Sequence, residues 1–402
     1  MKRILVVILF IVFAIPFLGN FFKKNIGDIH PAILPQKEEV MKMRQSNNLS
    51  FSLPDKFEII VFAENIDRVR DLEISPGGTV LATSLQMGSV VALPDKNGDG
   101  IADETKKIIS GLSRPHGIAF FPSTDSTSSP QASSGQVKLF VTEETRVSRY
   151  SWDESTLNAQ FEKKLFDLPK GGRHFTRTID FDSKGNMYVS LGSTCDVCFE
   201  KQPWIAAIIT SDAEGANPRL FAKGLRNSVF IAVNPKTDEL WATEMGRDFL
   251  GDSLPPDEVN ILRDGKDYGW PVCYGDKVFD QKFGQKTPQY CEGTEATVFD
   301  LPAHVAPLGL TFIDSPQFPR EWQGDLLIAY HGSWNRSVPV GYKIVRLLVD
   351  GNNVTGAEDF ITGFLKGDEA IARPVDLVFD KTGNLYISDD KAGVIYKVSS
   401  NK

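Results

Sequence analysis

From residue 68 onward, apolar and polar residues alternate with a period of two in short runs rich in Val, Ile, Phe and Tyr, and the runs come in pairs separated by Gly, Asn or Asp. Successive side chains of a strand point to opposite faces, so this pattern predicts antiparallel strands joined by tight turns. The paired run occurs six times, beginning RVRDLEISPGGTVLATS at Arg68, RPHGIAFF at Arg114, RHFTRTIDFDSKGNMYVSLGS at Arg173, LRNSVFIAVNPKTDELWATE at Leu225, HVAPLGLTFIDS at His304 and RPVDLVFDKTGNLYISDD at Arg373. The second and fifth copies complete their second strands after insertions, as GQVKLFVTEE from Gly135 and GDLLIAYHGS from Gly324. Between the turn markers Gly77, Gly135, Gly185, Asp238, Gly324 and Gly383 the steps are 58, 50, 53, 86 and 59 residues, the range of propeller blades once insertions are allowed. The predicted fold is all-β, a six-bladed β-propeller with four-stranded antiparallel blades over residues 51–402.

In a propeller the strands of each blade run outward from a central channel, so the residues ahead of every innermost strand reach one rim. That rule gathers Arg68, Arg70, His116, His174, Arg177, Arg226, Asn227, His304 and Arg373 around one mouth. The ends of the second strands return to the same face and add Glu244, His331, Arg336 and Lys391. The expected rim is cationic, with Glu244 and Asp376 its only obvious acids. The whole chain carries a net charge of -8, which argues against nucleic acid as a partner and for a small anionic ligand held locally.

Residues 4–22, ILVVILFIVFAIPFLGNFF, follow Lys2 and Arg3 and precede Lys23 and Lys24, the pattern of an export signal. As a hydrophobic helix the run would span about 28 Å at about 1.5 Å per residue, near the thickness of a bilayer core. The expectation for 1–24 is an uncleaved membrane anchor, with a cleaved signal peptide as the alternative; 25–50 reads as a linker, and the location as extracytoplasmic, periplasm or cell surface. Four cysteines then suggest disulfides. Three pairings exist formally, and Cys273 with Cys291 and Cys195 with Cys198 are the ones expected. CDVC is followed by Phe199 and not by His, which argues against a covalently attached c-type haem. The Ser-rich STDSTSSPQASS from Ser123 reads as a solvated loop.

DKNGDGIADE spaces Asp95, Asn97, Asp99 and Asp103 around Gly100 as in short calcium loops, although Lys106 stands where an EF-hand has its glutamate. A polar hairpin turn is the alternative reading. The segments GLRNSVF, EMGRDFLGDSLPPDEVN and YGWPVCYG, with RHFTRTIDF, AYHGSWNR and ARPVDLVFD, resemble the soluble quinoprotein sugar dehydrogenase family, particularly its sorbosone dehydrogenase-like branch, over roughly residues 52–398. The resemblance implies a propeller binding pyrroloquinoline quinone, a planar tricarboxylate, with calcium at the channel mouth. It implies His174 as the base that takes the substrate hydroxyl proton, and Arg226 and Asn227 beside the reactive carbonyl of the cofactor. It also implies Gly246 and Arg247 as calcium ligands through their carbonyls, with Asp248 in addition. Arginine forks suit carboxylates, so Arg226, Arg336 and Arg373 lead the cofactor contacts, joined by Asn227, His331 and Lys391. Val375 stands where the glucose-oxidising branch has a second arginine, and the lysine of that branch is replaced within HGSWNR. The implied activity is oxidation of a sugar, sugar aldehyde or related alcohol, with electrons passed to an external acceptor, a cytochrome or a quinone. Two rivals share the fold: a calcium-dependent lactonase or other hydrolase, which needs several rim carboxylates, and a non-enzymatic binding propeller.

Overall fold

Each of the six predicted pairs forms the inner half of a blade. A computed structural model describes residues 43–45, 51–122 and 137–401; the expected leader, the linker apart from 43–45, and the Ser-rich segment lie outside the described residues. The innermost strands are Val69–Ile74, Ile118–Phe121, Ile179–Phe181, Ile231–Val233, Pro307–Phe312 and Pro374–Phe379. Each touches the next in chain order, and the last touches the first, closing the ring. Outward from each run three more antiparallel strands. In the third blade Lys266–Asp267 adds a fifth, parallel to the outer strand Arg219–Lys223.

The sixth blade is finished from the far end of the chain. Its outer strand is Phe57–Ala63, antiparallel to Val394–Ser400, so the first and last blade strands of the chain clasp the ring. The step of 86 residues between the fourth and fifth markers has a concrete origin. The fourth blade's third strand, Asp257–Leu262, reaches its outer strand, Phe299–Leu301, only after an insertion closed by the Cys273–Cys291 disulfide. The other two cysteines are also paired, Cys195 with Cys198.

The period of two now has a physical meaning. The second strand of the first blade, Val80–Ser84, is buried throughout. Val80 and Ala82 pack toward the sixth blade with Tyr386 and Ile395, whereas Leu81 packs toward the second blade with Ile118 and Leu139. Alternate side chains therefore serve alternate neighbours, and an apolar cluster fills each of the six interfaces between blades.

Because neighbouring blades are separate sheets, the inner edge of an innermost strand has no ladder partner for its N–H groups, and buried donors must be satisfied some other way. Carboxylates of adjacent blades do it. Asp376 accepts the N–H of Leu72 (2.8 Å), Asp71 that of Ile118 (3.2 Å) and Asp180 that of Val233 (2.8 Å). Burial pushes Asp71 and Asp376 above the usual carboxylate range. The start of each innermost strand lies beside the end of its blade's second strand, as in Val69 opposite Ser84, Pro307 opposite Tyr330 and Pro374 opposite Asp389. Both sets of loops thus emerge on one face.

Candidate functional site

Three backbone segments lie side by side on that face. Ahead of the third innermost strand, the N–H of Arg173 and of His174 donate to the carbonyls of Thr194 (3.1 Å) and Ser193 (3.2 Å), and Ser193 N–H donates to the Arg226 carbonyl (2.7 Å). Between them sits Gly192, where a Cβ would fall 2.6 Å from His174 Cβ and 2.7 Å from Asn227 Oδ1. The lack of a side chain at Gly192 lets His174 and Asn227 approach.

His174 Nδ1 is 2.8 Å from Ser193 Oγ, whose hydroxyl donates to the Cys195 carbonyl (2.6 Å). Burial first, then the charges of Arg226 and Arg173, push the imidazole down to about 3, so the ring is neutral near pH 7. Arg226 is almost enclosed, its side chain 4% exposed. Its Nε donates to the Asp196 carbonyl (2.9 Å), Nη2 to Asp196 Oδ1 (2.7 Å) and Asp248 Oδ2 (3.3 Å), and Nη1 to the Met245 carbonyl (3.3 Å). A guanidinium has five N–H donors, so among the described residues a single one, on Nη1, is left for a ligand. Asn227 is held by its N–H to Glu244 (3.0 Å) and its Nδ2 to Met245 Sδ (3.2 Å), while its buried Oδ1 has no partner among the described residues. Burial, helped by Glu258, pushes Glu244 up to about 8.

Asp248 ties the third, fourth and fifth blades together. Its carboxylate accepts from Arg173 (2.7 Å) and Asn335 (2.8 Å) as well as from Arg226, and its N–H donates to Asp196 (2.9 Å). Asn335 also meets His304 Nδ1 (3.3 Å), and His304 Nε2 donates to the Gly251 carbonyl (2.8 Å). The Gly246 N–H donates to Asp257 (2.8 Å), and Arg247 pairs with Asp280 (2.8 Å). The carbonyls of Gly246 and Arg247 accept no hydrogen bond among the described residues.

A second group lies across the fifth, sixth and first blades. Asp390 joins His331 (2.9 Å) to Arg70 (2.7 Å), and Arg70 reaches His116 (3.4 Å). Although burial opposes it, the His331 ring and the Arg70 guanidinium hold Asp390 well below the usual carboxylate range. Arg373 donates to the carbonyls of His331 (3.0 Å) and Gly332 (2.6 Å), leaving three of its donors without a partner among the described residues. Asp257 links the two groups, since its second oxygen accepts from Ala306 N–H (2.9 Å) and the Ala306 carbonyl accepts from His331 N–H (3.1 Å).

The expected cationic rim is therefore corrected. Asp196, Asp248 and Asp390 neutralise Arg226, Arg173 and Arg70, and Arg177 is fully buried, donating to the carbonyls of Pro169, His174 and Thr176. Nor is Arg226 an open fork waiting for a carboxylate. Ser193, Asp196 and Asp390 follow second strands, in the same positions that drew attention to Glu244 and Lys391, and applying that rule to every blade finds them. Arg336 donates once, to the Ala303 carbonyl (3.3 Å), and its buried Nε has no partner among the described residues. Lys391 is exposed, and its side chain makes no bond among the described residues.

The Asp95–Asp103 loop lies apart from this network and binds itself. Asp95 accepts from Gly98 and Gly100 (2.8 and 2.9 Å), Asn97 from Asp99 N–H (2.9 Å), Asp99 from Ile101 (2.9 Å) and Asp103 from Lys96 (2.6 Å). Each of its three carboxylates accepts at least one backbone N–H of the turn, as a polar hairpin turn expects, and among the described residues the three do not gather within one cluster. Among the described residues the one group of three such ligands is Cys195, Cys198 and Glu200, and those sulfurs are joined in a disulfide. The converging carboxylates that the hydrolase alternative requires are thus not assembled on the described rim.

A family model described as TrAA12-like matches residues 51–401. An uncharacterised protein of Borreliella burgdorferi is 31% identical over 365 residues, covering 88% of this chain and 92% of that protein. An aldose sugar dehydrogenase of Escherichia coli is 27% identical over 266 residues, 61% of this chain and 66% of that enzyme. Among solved structures, the holo form of the pyrroloquinoline quinone domain of a Coprinopsis cinerea pyranose dehydrogenase superimposes with a TM-score of 0.73 at 21% identity, over 88% of this chain and 98% of that one.

Proposed function

The chain belongs to the TrAA12-like family, and from that premise we propose that it is a sugar dehydrogenase dependent on pyrroloquinoline quinone and calcium. The substrate class is an aldose, sugar aldehyde or related alcohol. The observation that carries the reading is the neutral His174 held against Arg226 and Asn227 around Gly192. The polar groups left over fit the cofactor: buried Asn227 Oδ1 and Arg336 Nε, and three donors of Arg373, suit a planar carboxylated ligand. The carbonyls of Gly246 and Arg247, which accept no hydrogen bond among the described residues, suit a hard cation. His331 and Lys391 complete the expected contacts.

Held by Asn227, Arg336 and Arg373, with calcium on the Gly246 and Arg247 carbonyls, pyrroloquinoline quinone would supply a two-electron hydride acceptor and the cation would supply Lewis acidity. His174 Nε2 accepts the proton of the substrate hydroxyl, which a neutral imidazole can do throughout the physiological range. The fixed charge of Arg226, oriented in advance by Asp196, stabilises negative charge that develops beside it.

The leader supports an extracytoplasmic location, with the membrane reached through residues 1–24. Electrons then leave to an external cytochrome or quinone, since CDVC is followed by Phe199 and lacks the histidine of a c-type haem site. The test is titration of the purified full chain with pyrroloquinoline quinone and calcium. Saturable binding followed by dye reduction across a sugar panel supports the reading. Absence of binding at micromolar quinone returns the binding-propeller alternative.

A further inference from the structure

We infer that the disulfide-closed turn Cys195–Cys198 is the positioning element of this site, setting the tautomer of His174 through Ser193 and the orientation of Arg226 through Asp196. The inference rests on the reading of His174 as the base.

A serine hydroxyl carries one proton, and a backbone carbonyl can only accept. Ser193 Oγ lies 2.6 Å from the Cys195 carbonyl and 2.8 Å from His174 Nδ1. Its proton goes to the carbonyl, so toward the imidazole Ser193 is an acceptor and Nδ1 carries the ring hydrogen. Nε2 is left with a lone pair and, among the described residues, no partner. That is the arrangement a general base needs. Turning the ring over would bring a carbon to Ser193 and lose the bond.

The next residue of the same turn holds the other half of the pair. The Asp196 carbonyl accepts from Arg226 Nε (2.9 Å) and from the Trp270 indole (3.2 Å), and Asp196 Oδ1 accepts from Arg226 Nη2 (2.7 Å) and from Asp248 N–H (2.9 Å). Two adjacent residues thus supply three acceptors that fix the base and the cation together. The covalent clip between Cys195 and Cys198, three positions apart, keeps those acceptors pointing the same way. Loop-closure stabilisation of a fold grows with loop length. So short a ring contributes little to the fold, and its effect falls on the site.

The wild-type full chain, labelled with 15N-histidine and free of cofactor, gives the first test. Its five histidines are separated by comparison with a His174→Gln spectrum. The expected ring shifts show Nδ1 protonated and Nε2 bare; the opposite tautomer overturns the inference. Because this measurement needs no cofactor, it stands or falls separately from the dehydrogenase reading. Ser193→Ala is expected to lose the tautomer preference and to lower kcat by roughly tenfold or more with KM little changed, since base catalysis is worth about 10²–10⁴ in rate, and Ser193→Thr to restore both. Cys195→Ala with Cys198→Ala is expected to do the same as Ser193→Ala. If that double variant keeps both the wild-type tautomer and the wild-type kcat, the turn does not position the site.

Discussion

Gly192→Ala places one methyl group between the base and its partner, with little else disturbed. Gly192 does not occupy the left-handed region, so alanine meets no backbone penalty there. Its Cβ would lie 2.6 Å from His174 Cβ, 2.7 Å from Asn227 Oδ1 and 3.1 Å from the His174 carbonyl. Carbon atoms in ordinary contact sit about 3.5–4.0 Å apart, so the two segments must separate by about 1 Å. Neither yields freely, because His174 is bonded to Ser193 by ring and backbone and Asn227 to Glu244 and Met245. Displacement on the order of 1 Å at a reacting group costs roughly 10²-fold in rate, or about 2.7 kcal/mol of barrier. Overpacking costs the fold about 1–3 kcal/mol, which the denaturant midpoint registers separately from the rate. The assay is kcat of the quinone-loaded full chain, read together with a denaturant midpoint. Gly356→Ala serves as control, since its Cβ would meet nothing nearer than Leu348 Cδ1 at 3.6 Å, and it should leave both unchanged. A folded Gly192→Ala enzyme with wild-type kcat would refute the argument that Gly192 sets the His174–Asn227 distance.

Asp390→Ala strips Arg70 and His331 of their shared carboxylate and should cost about 3 kcal/mol, the lower end for breaking a buried pair, seen as a lower denaturant midpoint with unchanged slope. Burial and the two neighbouring arginines hold His174 down to about 3, below its unfolded value of about 6.5. Its contribution to stability is therefore present above pH 6.5 or so and lost as pH falls toward 3, up to about 5 kcal/mol. His174→Gln should flatten the stability profile in that window, and an unchanged profile would show that the imidazole titrates normally. Asp99→Ala removes the acceptor of Ile101 N–H in an exposed turn and should cost about 1 kcal/mol, with activity and calcium requirement unaltered. A calcium-dependent loss of melting temperature there would mean that the loop does bind the cation.

The six blades were legible because local alternation and turn residues repeat, and because a strand such as Val80–Ser84 must satisfy a neighbour on each side. The clasp by Phe57–Ala63 was not, since a strand that pairs with Val394–Ser400 leaves no mark on the sequence around it. The third blade's parallel addition, Lys266–Asp267, is too short to carry a period. At the site, the rim rule brought His174, Arg226 and Asn227 to one place and the family resemblance added Gly246–Asp248; the structure joins them in one hydrogen-bond network. Spacing could not tell which acid meets which base. Asp257, Glu258 and Asp376 accept mainly backbone N–H groups, whereas Arg226, expected to face a carboxylated ligand, turns to Asp196 and Asp248. The Asp95–Asp103 spacing admits two readings for a related reason: short polar side chains in a turn can satisfy their own backbone as readily as a cation.

The most direct measurement is sugar-dependent dye reduction by quinone- and calcium-loaded wild type and His174→Ala, with quinone binding measured on both. The expected result is reduction by the wild type and equal binding but a fall of about 10²–10⁴ in kcat for the variant. A wild type that binds quinone yet oxidises no sugar, or a variant as active as the wild type, would contradict the assignment of His174 as the base of a sugar dehydrogenase.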